Sequence, residues 1–176
     1  MGVLMPIREW IVEVLASVHA RMCSYFYDEF SIQIKELNQN YAEHETLDIH
    51  GLTAVIGVGG PAGILIAFSY EQRLIDELYG RMTDGIDVHP GEEKMYMESV
   101  AGDIINTIVG NCTTELQQGQ HAISLTPPMI IDHIKHIHRT KNVVLISKKY
   151  TTEFGFIDLK LIGPGKMFDK NLDYVK

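Results

Sequence analysis

Positive charge is scarce in this chain: 15 lysines and arginines face 23 aspartates and glutamates, for a formal charge of -8 over 176 residues. Gripping the phosphate backbone of nucleic acid takes clustered cations, so that partner class is excluded and a basic or amphoteric partner fits better. Cysteine is also scarce. The two present, Cys23 and Cys112, both sit in segments of helical pattern, which excludes a disulfide framework and points to a reducing compartment. Nowhere does an apolar run approach the ~18 residues of a membrane span. The opening MGVLMPIREWIVEVL breaks its apolar pattern at Arg8, Glu9 and Glu13, which excludes a signal-peptide core, and a cytoplasmic location away from membranes is expected. With 45% hydrophobic residues the chain has enough apolar material for one core, and a single domain over 1–176 is expected.

What is present reads as alternating helical and strand patterns. Apolar residues Ile7, Trp10, Ile11, Val14, Leu15, Val18 and Met22 recur at helical spacing behind Pro6, so a long helix lying on a sheet is expected to about Asp28. Residues 31–37 and 41–50 read only weakly, as strand and loop. LTAVIGVGG (52–60) and AGILIAFSY (62–70) are β-branched runs split at Gly-Gly-Pro, the pattern of a hairpin. EQRLIDELYGRM (71–82) reads as a helix ending near Gly80, and Pro90 to Glu93 open another that runs to about Leu116. Strands are expected at 121–126, 142–149 and 153–162, the last two joined around Thr151-Thr152, with residues 163–176 as a tail. The fold class is α+β, helices packed on a mostly antiparallel sheet.

Three clusters have functional potential. GVGGPA (57–62) fits a bare dinucleotide pattern, but a phosphate-binding turn must open a helix, and here Pro61 and a strand-like ILIAF follow, so the segment reads as a hairpin turn. His133, His136 and His138 could ligate a metal only if all three converged. In a strand His133 points away from the other two, in a helix His138 does, so incidental histidines on a strand or loop are the simpler reading.

The third cluster is SVAGDIIN (99–106). At about 100° per residue with Ser99 at zero, Gly110, Asp103, Thr107, Asn106 and Gly102 gather on one side, while Val100, Ala101, Ile104, Ile105 and Ile108 fill the opposite arc. The polar side lacks the long charged side chains that usually cover a solvated face, and its two glycines would let another surface come close. From Met95 through Ile134 there is no lysine or arginine, whereas Glu98, Asp103, Glu115 and Asp132 are present, so the patch reads as acidic. Asparagine is a poor mid-helix residue, and Asn106 therefore asks for a functional reason.

These residues resemble the CheC/CheX/FliY family of chemotaxis phosphatases, which remove the phosphoryl group from the aspartyl-phosphate of the response regulator CheY. The family motif is Asp or Ser, three residues, Glu, two residues, Asn, and a proline twenty-odd residues later; Ser99, Asp103, Asn106 and Pro127 or Pro128 stand at those places. TAVIGVGGPAGILIAFSYEQRLIDELYGRM and TEFGFIDLKLI resemble the flanking hairpin, helix and closing hairpin, so residues 50–162 are best supported. A single motif is CheX-like, since no asparagine lies between Asn40 and Asn106 to furnish a second copy. The resemblance implies a phosphorylated CheY-like regulator as partner, a homodimer formed by joining sheets, and no cofactor bound by this chain, the Mg2+ belonging to the regulator. It also implies that Asp103 docks to the regulator's active-site lysine, that Asn106 positions the attacking water, and that Ser99, Gly102, Thr107 and Gly110 lie at the contact. One position departs from the motif: Asp103 replaces the family's glutamate and reaches about 1.5 Å less far. That departure keeps a second reading open, a catalytically weak or inactive binding module that captures a response regulator or another signalling partner.

Overall fold

A computed structural model describes residues 7–37, 42–44, 46–48, 51–116, 122–132, 136–138 and 143–164. Three helices, α1 (Ile7–Phe30), α2 (Gln72–Met82) and α3 (Glu93–Leu116), pack on one face of an open sheet. The strands are β1 (Lys35–Glu36), β2 (Ala42–His44), β3 (Thr46–Asp48), β4 (Leu52–Gly59), β5 (Ile64–Tyr70), β6 (Ser124–Leu125), β7 (Met129–Ile131), β8 (His136–His138), β9 (Val143–Thr152) and β10 (Gly155–Pro164). The sheet runs β1-β9-β10-β5-β4-β6, with β2 also on β9 and β7 also on β4, while β3 and β8 form a separate pair. Every described pairing is antiparallel, which is the α+β architecture the sequence pattern calls for.

Strand alternation decides the layers. Leu52, Ala54, Ile56 and Val58 of β4 and Ile64, Ile66, Phe68 and Tyr70 of β5 face the helices and join the core, as a period of two requires. The opposite face holds Thr53, Ser69 and Lys160, all buried. There the Thr53 and Ser69 hydroxyls lie 2.7 Å apart, and the Lys160 ammonium donates to Ser69 Oγ at 2.7 Å, which offsets the desolvation of a buried cation.

Several element ends differ from their sequence signals. Helix α1 runs to Phe30, two residues past the expected end, and closes with Ser31 in the left-handed region at φ 53°, its N–H donating to the Tyr27 carbonyl at 2.8 Å. Helix α2 passes through Gly80 to Met82. Leu74, Ile75 and Leu78 are buried beneath it, and the Thr83 N–H and hydroxyl both donate to the Tyr79 carbonyl, at 3.0 and 2.7 Å, so packing and this cap outweigh the glycine. The β9–β10 turn is at Glu153–Phe154, with Thr151 and Thr152 still in the strand. Gly155 sets that place: it has φ 136°, and a Cβ there would stand 2.8 Å from Glu71 Oε2, so only glycine fits. Among the described residues of the expected strand over 121–126 only Ser124–Leu125 is strand, and β7 was missed.

Helix α1 lies on the sheet as expected, its buried face joining the strands in one core, and it also packs on α3. His19 stacks on Tyr150 with ring centroids 5.5 Å apart and Nδ1 3.1 Å from its hydroxyl. Its Nε2 lies 3.2 Å from Glu36, whose other oxygen meets Lys148 at 2.8 Å. A neutral imidazole suits this chain of groups, accepting from the phenol and donating to the carboxylate. Burial depresses the His19 pKa below its ordinary value, with Lys148 assisting and the attraction of Glu36 too small to reverse the shift. The folded state therefore binds this proton less readily than the unfolded one, so the contribution of His19 is intact above pH 6.5, the ordinary value, and is lost as acid protonates the folded form. The denaturant midpoint of the His19→Gln variant should fall less steeply between pH 7.5 and pH 5 than that of the parent; equal slopes would assign the acid sensitivity to other groups.

Candidate functional site

The site is built on α3, whose burial follows from three neighbours. Val100, Ala101, Ile104, Ile105, Ile108, Val109 and Cys112 are buried, leaving Ser99, Asp103, Asn106 and Thr107 exposed and Gly110 half-exposed. Around the helix the buried positions span about 100° to 320° from Ser99, so the open stripe is about 140° wide. From Ser99 to Asn106 it extends about 10 Å along the axis.

One wall of the stripe is α1, antiparallel to α3. Ser17 donates to Glu115 at 2.9 Å and Arg21 forms a salt bridge with the same carboxylate, while farther along α1 the Tyr25 phenol lies within the electrostatic reach of Asp103. Burial raises the Tyr25 pKa first, and the negative charges of Glu29 and Asp103 raise it further. The other wall is the chain between β6 and β7. Here Gly102 departs from its expected place: it is buried, and a Cβ on it would meet Pro128 at 3.5 Å and Ile130 at 3.8 Å. The close approach that this glycine permits is thus made by the protein's own chain. Of the two candidate prolines, Pro128 is the one seated against the motif helix.

The patch is less acidic than its composition implies. Lys94, one residue before the cation-free segment, holds Asp132 at 2.7 Å and Glu98 at 3.8 Å, and Arg21 takes Glu115. Among the described residues, Asp103 alone of these four acids has no ion pair or hydrogen bond, and the Asn106 amide has none either. Ser99 donates its hydroxyl to the Met95 carbonyl at 3.0 Å, one turn back on its own helix. The stripe therefore presents a carboxylate and a neutral amide three residues apart, on adjacent turns, with their polar atoms uncommitted. Such a pair can engage a cation with one group and orient a small polar molecule with the other.

The remaining clusters fall away from the stripe. GVGGPA forms the end of β4 and the connection to β5, so no helix opens there to hold a phosphate. His136 and His138 lie in β8 opposite Asp48 and Thr46, and His133 is outside the described residues. Among the described residues no three His, Cys, Asp or Glu side chains are placed to hold a metal, and no helix is long and apolar enough to cross a membrane. Cys23 and Cys112 are free thiols, the latter buried. Sequence reasoning missed Met95, which is 55% exposed on the same side of α3; its place four residues before Ser99 was the available signal.

The family model described as Chemotaxis phosphatase CheX matches residues 52–148, more than half of the chain. No curated protein sequence matches. The CheX crystal structure from Desulfovibrio desulfuricans superposes with a TM-score of 0.69 at 16% identity, covering 85% of this chain and 97% of that one. CheX from Vibrio vulnificus gives 0.67 at 15% identity, covering 85% and 97%. A CheX–CheY–BeF3–Mg2+ complex from Borrelia burgdorferi gives 0.60 at 16% identity, covering 86% and 97%. At these identities the likeness is one of fold.

The two glycines of α3 should answer differently to substitution. A Cβ at Gly110 meets nothing within 4 Å, so Gly110→Ala should gain about 0.5–1 kcal/mol of helix propensity and raise Tm by a few °C. Gly102→Leu must displace Pro128 and should cost about 1–3 kcal/mol. Thermal melts of the two variants check this; a Gly102→Leu protein as stable as the parent would mean that the Pro128 wall is soft.

Proposed function

This chain belongs to the CheX family of chemotaxis phosphatases, and on that premise we propose that it hydrolyses the aspartyl-phosphate of a CheY-like response regulator by presenting Asn106 to the regulator's active site. The observation that carries the reading is the stripe itself, with Asp103 and Asn106 exposed and uncommitted while Glu98 and Asp132 share Lys94 and Glu115 pairs with Arg21.

Hydrolysis of an acyl phosphate needs a water in line with phosphorus and neutralisation of the equatorial oxygens, with little covalent work left for the protein. The Asn106 amide oxygen accepts a hydrogen bond from the attacking water and so fixes its approach. Being neutral, the amide brings no charge against the phosphoryl dianion, as a carboxylate would. Asp103 pairs with the active-site lysine of the regulator, and the free carboxylate has no internal partner to surrender first. Ser99, Thr107 and Gly110 border the contact, with Gly110 leaving room for the opposing backbone. Three further parts of the reading rest on the family alone: the Mg2+ sits on the regulator and none on this chain, the protein works as a homodimer, and the reaction is cytoplasmic.

The shorter Asp103 favours a second reading, a module that binds the regulator without turning it over. Stimulated decay of regulator phosphate, followed with catalytic amounts of this protein and Mg2+, separates them. Asn106→Ala should lose on the order of 10²-fold in stimulated rate with an unchanged melting curve; an alanine variant as active as the parent would sink the phosphatase reading. Asp103→Ala should chiefly raise KM, by about tenfold or more for a lost charge-assisted contact. Asp103→Glu should be no faster than the parent if docking is adapted to aspartate, whereas a marked gain would favour the binding module.

A further inference from the structure

The face of the sheet turned away from the helices ends in a patch that takes no part in the α3 stripe. Thr151 of β9 stands in register with Lys35 of β1 and Phe156 of β10, and residues paired across antiparallel strands project to one side, so these three side chains form a row. In the next row Lys149 stands between Asp158 and Leu37, whose N–H donates to the Lys149 carbonyl at 3.0 Å. The alternate residues Tyr150 and Ile157 join the core on the helix side. Leu37 is 48% exposed and Phe156 40%. Beside them, where the end of α1 turns into β1, lies a cleft of about 510 Å³ whose lining includes Tyr27, Ser31, Gln33, Lys35 and Thr151, and Tyr27 is 59% exposed. One exposed apolar residue is ordinary on a protein surface, but three large ones around a single cleft mark a contact surface.

Charge selects what the surface takes. Most acids bordering it are held by the protein itself: Glu36 by Lys148 at 2.8 Å on the helix side, Glu71 by the Phe156 N–H at 2.9 Å and Asp158 by Lys160 at 3.5 Å, which leaves Glu153 at the rim of the cleft. The two lysines are free of such ties. Neither Lys35 nor Lys149 has an ion pair among the described residues, and the Lys149 ammonium rests over the Phe156 ring, 4.9 Å from its centroid, which keeps the cation beside an apolar floor. In a chain of formal charge -8, two uncommitted cations next to exposed aromatic rings are a local exception. We propose that this patch is a second docking surface, and that its occupant is an acidic segment of a partner protein carrying a bulky apolar side chain. That side chain lies on Phe156 and Leu37, carboxylates on either side of it meet Lys35 and Lys149, and the cleft receives the backbone at Ser31 and Gln33. The surface is on the other side of the sheet from α3, so it is filled independently of the Asn106 stripe.

The test titrates the 15N-labelled full chain with a capped synthetic peptide, one phenylalanine flanked on each side by two glutamates. Amide shifts of Lys35, Leu37, Lys149, Thr151 and Phe156 should saturate with a Kd on the order of 100 μM, as suits a small transient interface, while the amides of residues 99–110 stay in place. The double variant Lys35→Gln/Lys149→Gln, whose side chains are outside the core, should bind about tenfold more weakly with an unchanged melting curve. A peptide with alanine in place of phenylalanine should lose a similar factor. Parental affinity in the double variant, or no saturable shift at about 1 mM peptide, would overturn the proposal. So would either of two other occupants: phosphatidylserine vesicles bound more tightly than the peptide would give the patch to a membrane surface, and a dimer in sedimentation velocity that Phe156→Ser dissociates would give it to a second copy of this chain.

Discussion

The antiparallel contact between α1 and α3 is the constraint on which the rest of this molecule depends. Glu115 holds Ser17 and Arg21 at one end, and the aromatic edges of Tyr25, Phe26 and Phe30 pack together toward the other. With the sheet beneath and Pro128 on the far flank, α3 is enclosed on three sides. A helix so enclosed can keep only a narrow polar stripe, and whatever chemistry it performs must come from the few side chains there. Long charged residues would fill that stripe themselves; serine, aspartate, asparagine, threonine and glycine leave it open to another surface.

Charge is arranged to the same end. The chain has an excess of acids, yet near the stripe three of them are paired, Asp132 and Glu98 sharing Lys94 and Glu115 held by Arg21. These exposed pairs contribute little to stability. Their effect is to offset negative charge beside the stripe, leaving Asp103 as the acid there without an ion pair among the described residues. The opposite face of the sheet shows the contrasting use of charge, where Lys160 is buried and held by Ser69 and Asp158, committed to the fold.

Much of this was legible in the sequence, for a physical reason. The periodicity of α3 and of the β4–β5 hairpin is local, and a stripe of Ser99, Asp103, Asn106 and Thr107 falls out of 100° steps alone. What stayed hidden depends on contacts distant along the chain. Gly102 counted as part of the open face because nothing local announces that Pro128 will cover it, and the patch looked acidic because its cations, Lys94 and Arg21, lie outside the segment. The edge strands read only weakly for another reason: Lys35–Glu36 and Ala42–His44 are too short and too polar to print an alternation, and they are held in place by β9. The end of α2 was misplaced because the signal of Gly80 yields to three buried side chains and a threonine cap.

The central claim is geometric, that the regulator docks on the α3 stripe with the Asn106 amide at the interface. Amide chemical shifts of this protein, including the side-chain NH2 of Asn106, recorded as a beryllofluoride-activated CheY-like regulator is added, test it most directly. The account predicts that the shifts cluster on residues 95–110 of α3 and on the flanking Tyr25 and Ile130, with the Asn106 side-chain pair among the largest. A footprint on another face of the sheet, with the Asn106 side-chain signals unmoved, would contradict it.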